Sequence, residues 1–248
     1  GQKVLNETFN NEKKGLIPDT KWKKDNLGKS WVIGETLITG IGQGYTQTTP
    51  LQLCQMMAQL ANGGFKIYPK IVVNENDKTA EQIKFIMDEN YNNLDKKTNG
   101  LEEASKILGF LDKKEHERLF KSSKNIKLVR EAMFASTNEV RGTSYSSRIE
   151  DPKYQFAGKT GTSQVKRITE KDRELDLKTF EIPYNERDHA LYIAFGPYKK
   201  PRYALSIVIE HGGSGSSAAA PIAKKLFKLI IDRHEIREKV KNKQPTKT

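Results

Sequence analysis

Lys159-Thr160-Gly161-Thr162 closes a strand-like run that extends from Tyr154 to Val165. A cation, two hydroxyls and a glycine on extended backbone suit a wall along which an anionic peptide lies. Strand alternation puts Thr160 and Thr162 on one face, where both hydroxyls can bond the same carboxylate. Lys159 adds positive potential beside them. Gly161 permits close approach of a second backbone, and the N–H of Thr162 is free to face a developing oxyanion. The same residues also suit an ordinary edge strand, because Lys and Gly are common edge devices. Alone, they leave both readings open.

An upstream segment adds weight to the first. Ile41-Gly42-Gln43-Gly44-Tyr45 leads into Thr48-Thr49-Pro50-Leu51-Gln52-Leu53 and then Ala58-Gln59-Leu60-Ala61-Asn62-Gly63-Gly64. Thr49 with Gln52 makes a capping box and Pro50 fits the first helical position. Leu51, Leu53, Cys54, Met57, Leu60 and Ala61 form an apolar stripe, and Gly63 stops the helix. Helix formation accounts for all of this except the tight Gly-Gln-Gly turn in front.

Read in order, these blocks join Tyr68-Pro69, Val129-Arg130-Glu131-Ala132-Met133, Ala157 through Val165, Gly212-Gly213-Ser214-Gly215 and Ala219-Ala220-Pro221-Ile222-Ala223. Gly15-Leu16-Ile17-Pro18-Asp19 and Trp22-Lys23-Lys24 precede them. The series resembles the class B penicillin-binding transpeptidases, and within them the elongation-type penicillin-binding protein 2 group. It spans nearly the whole chain apart from a Lys- and Asn-rich stretch at about 74–124, which reads as a helical insertion.

The resemblance implies an α+β, serine β-lactamase/transpeptidase-like fold, with an antiparallel sheet flanked by helices and incomplete at its N-terminal side. It implies peptidoglycan D,D-transpeptidation through an acyl-serine intermediate. Lys159 would tune the electrostatics of the serine and lysine machinery, and Thr162 N–H would be half of the oxyanion hole. Thr160 and Thr162 would hold the substrate or drug carboxylate, Gly161 would allow close approach, and Gln43, Ser163 and Gln164 would line the groove. The implied partners are stem peptides ending in D-Ala-D-Ala, β-lactams and a membrane glycosyltransferase of the elongation machinery. The implied location is the bacterial cytoplasmic membrane, with the catalytic domain on its outer side and the anchor outside this chain. A D,D-carboxypeptidase or β-lactamase on the same fold, and a non-catalytic cell-wall or partner-binding fragment, are the alternatives.

The signature of these enzymes is Ser-x-x-Lys, Ser-x-Asn and Lys-Thr-Gly. Nothing upstream of Gly42 carries either of the first two, so the nucleophile is expected outside this sequence. Ser163-Gln164-Val165-Lys166 has the first spacing, but on a strand its Ser and Lys are not presented one helical turn apart. Ser136-Thr137-Asn138 has the third-residue spacing of Ser-x-Asn, between a helix at Val129 to Ala135 and the strand. Both read as chance matches. The chain starts with Gly, and a recombinant or processed fragment is expected.

The 248 residues suffice for one substantial core, and the formal net charge is +12. Basic residues are spread along the chain among 31 acids without an aromatic-basic ladder, so nucleic acid is not an expected partner. A mild attraction to anionic lipid head groups or cell-wall polymers is the inference. Cys54 lies on an apolar stripe and reads as a small buried hydrophobe. The histidines, His116, His189, His211 and His234, lack metal-ligand spacing, so no metal and no cofactor are proposed.

In outline, residues 1–29 read as an extended polar lead-in, with Trp22 and Trp31 as packing anchors. Phe65 to Val73 reads as strand-like, and the charged connection from Lys166 to Asp188 is long enough to be functional. Ala190 to Phe195 and Tyr203 to Ile209 predict an antiparallel hairpin around Pro197 and Pro201. A last helix is expected, capped by Ser217, with Pro221 in its first turn and an inner stripe of Ile222, Leu226, Ile230 and Ile231. Ile222, Leu226 and Ile230 are expected to pack on Leu191, Ile193 and Ile207. The seat of the serine-bearing helix is expected to be an open apolar surface on the inner side of the sheet.

Overall fold

In the computed structural model, Ala157–Ser163 (β1), His189–Gly196 (β2) and Tyr203–Ile209 (β3) form one sheet in the order β1-β2-β3. The structure describes residues 2–5, 11–69, 118–120, 122–166 and 177–241, with side chains through 237. Both pairings are antiparallel, from Ala157↔Phe195 to Ser163↔His189 and from Ala190↔Ile209 to Gly196↔Tyr203. The predicted hairpin is therefore present. β1 is shorter than its sequence suggested, because Asp151 to Tyr154 form a turn before it.

Alternation gives the sheet two different faces. Ala157, Lys159 and Gly161 share one with Ile193 and Phe195, and Gly158, Thr160 and Thr162 share the other with Ala190, Tyr192 and Ala194. Pro50–Ala61 (α3) and Ser123–Asn138 (α4) cover the first, where Met57, Ala61, Met133, Ala157 and Phe195 make a buried cluster. Helix α3 starts as predicted, with Pro50 in its first turn and Thr49 and Gln52 bonding each other's backbone N–H at 3.2 and 2.8 Å.

The second face packs on the C-terminal helix, Ala220–Lys241 (α5). Phe156, Ala190, Tyr192, Ala194 and Ile207 meet Ala220, Ala223, Phe227 and Ile231 there. Phe156 and Phe227 stack at 4.9 Å and are fully buried, each worth about 1.5–3 kcal/mol relative to exposure. Of the expected stripe, Ile231 is buried here and Leu226 packs against the cluster, but the helix is rotated enough to leave Ile222 outside it. Ile222 is 38% exposed, and the inner stripe is Ala223, Phe227 and Ile231 because small residues let the helix approach the Tyr192 ring. On the strand, Tyr192 rather than Leu191 and Ile193 faces it, a one-residue change of face.

Other expectations also change. A π-turn, Gly215–Ala219, precedes α5 with Ser214 at its N-cap, so Ser217 is inside the turn and not the cap. The lead-in contains Thr20–Leu27 (α1), which Asp19 caps at 2.7 Å from Trp22 N, and Ile33–Gly40 (α2) follows it. Helix α1 escapes pattern reading because its inward residue is a lysine. Lys23 is buried and donates to Ser30 O at 2.7 Å and Glu35 Oε2 at 2.6 Å. Trp22 rests on Tyr45 at 5.3 Å, and Trp31 Nε1 donates to Thr36 Oγ1 at 2.9 Å. Residues 65–69 make only an isolated bridge, Phe65 to Arg118, and no strand. Most of the insertion at 74–124 lies outside the described residues, and so do part of the Lys166 to Asp188 connection and the tail from 242.

Candidate active site

Lys159 stands on the open edge of β1. Its Nζ bends along that edge to donate to Thr160 O at 2.7 Å and to Thr160 Oγ1 at 3.3 Å. The ammonium therefore reaches the hydroxyl of the next residue although their Cβ atoms leave opposite faces. Thr162, Ser163 and Gln164 continue the edge, all exposed. The sequence assigns close backbone approach to Gly161, where an added Cβ would meet Leu191 Cβ at a tight 3.3 Å. The stricter demand falls on Gly215, whose added Cβ would lie 2.3 Å from Leu191 O and 2.8 Å from Gly161 O. The Gly-Gly-Ser-Gly block is thus seated against the backbone of the candidate site.

Gln43 is exposed in the turn between α2 and α3, its N–H bonded to Ile38 O at 3.0 Å. Gly42 and Gly44 hold φ of 78° and 76°, which explains the Gly-Gln-Gly turn. No hydrogen bond among the described residues joins Gln43 to β1.

On the side of Lys159, an apolar cavity of about 650 Å³ opens between the sheet, α3 and α4. Met56, Met57, Leu60, Val129 and Met133 line it, and Lys159 is at its polar end. Met56 and Val129, at its rim, are 39% and 43% exposed; whether the insertion at 74–124 covers this face lies outside the described residues. Next to it, Ser136 Oγ lies 3.2 Å from Thr143 Oγ1, which lies 3.3 Å from Thr160 Oγ1.

Behind β1, sequence reasoning missed a buried hydroxyl cluster. Tyr192 OH is 2.9 Å from Thr137 Oγ1 and 3.1 Å from Ser144 Oγ, and Gly158 N donates to Thr137 Oγ1 at 3.0 Å. All of these are fully buried, and burial pushes the Tyr192 phenol up, partly offset by its bonds to Ser144 and Thr137. Gly158 has to be glycine, since a Cβ would fall 2.4 Å from Tyr192 OH. Thr137 on α4, Ser144 in the loop after it and Tyr192 on β2 carry no shared sequence signal, and only tertiary contact makes them a cluster.

The structure also accounts for the short motif matches. Ser136-Thr137-Asn138 is the last turn of α4, not a connector, and Asn138 Nδ2 is used on Phe134 O at 3.0 Å and Phe156 O at 2.9 Å. A further Ser-x-Asn spacing, Ser123-Lys124-Asn125, opens the same helix, some 20 Å from its other end at ~1.5 Å per residue. Ser163 ends β1 and Lys166 pairs with Glu186 at 2.9 Å, so the Ser-x-x-Lys spacing lies on extended chain. Cys54 is half-buried with its thiol pushed up by burial. His189 and His211 come together at 4.8 Å, with His211 N donating to His189 Nδ1 at 2.9 Å. Among the described residues, no group of three or more His, Cys, Asp or Glu could hold a metal.

Residues 3–228 match the family model described as the penicillin-binding protein transpeptidase domain. The chain is 34% identical over 224 residues to the peptidoglycan D,D-transpeptidase MrdA of Salmonella typhimurium, covering 90% of this chain and 31% of that protein. It is 32% identical to the protein of the same name from Acinetobacter baumannii, covering 87% and 27%. Among solved structures, it is similar to Pseudomonas aeruginosa PBP2 in complex with WCK 5153, with TM-score 0.62, 29% identity, and coverage of 93% and 41%. It is also similar to Helicobacter pylori PBP2 in a complex with MreC, with TM-score 0.59, 28% identity, and coverage of 89% and 32%.

Proposed function

Because this chain belongs to the penicillin-binding protein transpeptidase domain family, we propose that it supplies the Lys-Thr-Gly wall and C-terminal layers of a peptidoglycan D,D-transpeptidase. The chain spans 31% of the length of the first of those curated relatives, so activity, substrate and partners are proposed for the whole protein. The observation that carries the reading is the position of Lys159. Its ammonium lies on Thr160 at the polar end of an open apolar cavity. An apolar helix that brings a serine to the end of this cavity would bury the exposed Met56 and Val129 and set its hydroxyl beside a fixed cation.

In this reading, the serine oxygen, outside residues 1–248, attacks the penultimate D-Ala carbonyl of a stem peptide. The C–O bond forms, the C–N bond breaks, and the terminal D-Ala leaves with a proton on its amine. An amine of a neighbouring stem then takes the acyl group and frees the serine. Lys159 supplies positive potential, Thr160 and Thr162 hold the terminal carboxylate, and Thr162 N–H faces the oxyanion. Ser163 and Gln164 extend the same edge. β-Lactams acylate the same serine.

The proposed setting is the outer side of a bacterial cytoplasmic membrane, working with a membrane glycosyltransferase of the elongation machinery. The membrane anchor is proposed for another part of the whole protein; among the described residues, no helix is long and apolar enough to cross a membrane. The test is acylation of the whole protein by a fluorescent penicillin. Lys159→Ala is expected to slow it by on the order of 10²-fold, the usual scale for losing an electrostatic donor. An unchanged rate would remove Lys159 from the site.

A further inference from the structure

We propose that Thr143 is a positioning and specificity residue for the ligand carboxylate, acting through Thr160 with Ser136 behind it. The proposal rests on the reading of β1 as the carboxylate wall. It starts from the three hydroxyls in series, Ser136 Oγ to Thr143 Oγ1 at 3.2 Å and Thr143 Oγ1 to Thr160 Oγ1 at 3.3 Å.

Proton counting gives the series a direction. A threonine hydroxyl has one proton and two lone pairs, and an ammonium only donates. Lys159 Nζ, 3.3 Å away, fills one lone pair of Thr160 Oγ1. When Thr143 donates to the other, Thr160 retains only its proton. It is then an obligate donor, complementary to a carboxylate, which only accepts. Ser136 donating to Thr143 keeps the same direction along the chain, and aligned hydroxyls polarise one another. A ligand that presents an amide NH₂ at this point meets an oxygen whose lone pairs are both occupied.

The turn that carries Thr143 is fixed at both sides. A Cβ on Gly142 would fall 2.3 Å from Ser136 O and 2.5 Å from Ala135 O, so the backbone is pressed on the end of α4. Ser144 is fully buried, and both its N–H and its Oγ–H donate to Ser136 O at 3.1 Å. Thr143 between them is exposed. Its hydroxyl is therefore presented to Thr160 by a rigid support, while its own replacement disturbs no packed neighbour.

The experiment uses the whole protein, with penicillin acylation resolved into prior binding and the limiting acylation step. Thr143→Val should weaken prior binding about five- to tenfold, the scale of one ordinary hydrogen bond, and leave the limiting step within about twofold. Thr143→Ser should restore binding to within about twofold of wild type, and Ser136→Ala should weaken it by a smaller factor of about two to three. Thr143→Val binding like wild type, or Thr143→Ser losing as much as Thr143→Val, overturns the proposal. A wild-type protein that takes no penicillin label rejects the transpeptidase reading itself; normal wild-type labelling with an unaffected Thr143→Val rejects Thr143 alone.

Discussion

The Tyr192 phenol lies 2.9 Å from the Thr137 hydroxyl, joining β2 to the end of α4 directly behind the strand that carries Lys159. Ser144 and Gly158 N complete the cluster at 3.1 and 3.0 Å. Removing the phenol leaves Thr137 and Ser144, 3.4 Å apart, to pair with each other. Removing the Thr137 hydroxyl leaves Gly158 N–H without its acceptor. Tyr192→Phe should thus cost about 1 kcal/mol and Thr137→Val about 2–3 kcal/mol in denaturant unfolding. The reverse order would refute the cluster as drawn.

Two glycines three residues apart on β1, and so on opposite faces, should respond differently to alanine. Gly158→Ala would force a Cβ to within 2.4 Å of Tyr192 OH, an overpacking expected to cost about 1–3 kcal/mol or more. Gly161→Ala meets only Leu191 Cβ, at a tight 3.3 Å, so it should lose less stability than Gly158→Ala while penicillin acylation falls because the ligand face is crowded. Thermal melts and acylation rates on the same preparations separate the two. Equal loss of stability in both would contradict the assignment of Gly161 to the ligand side.

The inner face of α5 is tested by a pair of truncations. Phe227→Ala should destabilise by about 3–5 kcal/mol, since the ring is fully buried against Phe156. Ile222→Ala, at a side chain 38% exposed, should stay within about 0.5 kcal/mol. Unfolding curves that rank Ile222 above Phe227 would restore the stripe expected from the sequence.

The Lys23–Glu35 pair gives a pH signature. The hydrogen bond from Lys23, and after it the one from Val32 N–H, holds the Glu35 carboxyl below its ordinary range. A carboxyl with a depressed folded-state pKa contributes stability above its unfolded pKa and loses it as pH falls through the folded value. Fluorescence of Trp22, which rests on Tyr45, should therefore report loosening of α1 as pH drops below the ordinary carboxylate range. Glu35→Gln should remove that acid-side step, and a step that persists in Glu35→Gln belongs to another group.

Much of this arrangement was legible because local chemistry and tertiary packing agree. The Thr49, Pro50 and Gln52 start of α3, the β2–β3 hairpin and the alternation of Thr160 with Thr162 all follow from short-range rules. The α+β class follows from them. What failed needed partners distant in sequence. Helix α1 depends on a lysine buried by Glu35 and Ser30 O, which no hydrophobic stripe announces. The inner side of α5 is chosen by the shape of Tyr192 and the small Ala220 and Ala223, and hydrophobicity alone favoured Ile222. At the site, Lys159 and Thr160 were legible as residue types. Thr143 and Ser136 became neighbours of Thr160 only through the turn that Gly142 and Ser144 press onto α4.

The most direct measurement is denaturation-resistant labelling by a fluorescent penicillin, made in parallel on the 248-residue chain and on the whole protein. The account predicts a stoichiometric adduct on the whole protein, mapped to a serine outside residues 1–248, and none on the chain alone. A stoichiometric adduct on the isolated chain, mapped to Ser163 or any other of its residues, would contradict it.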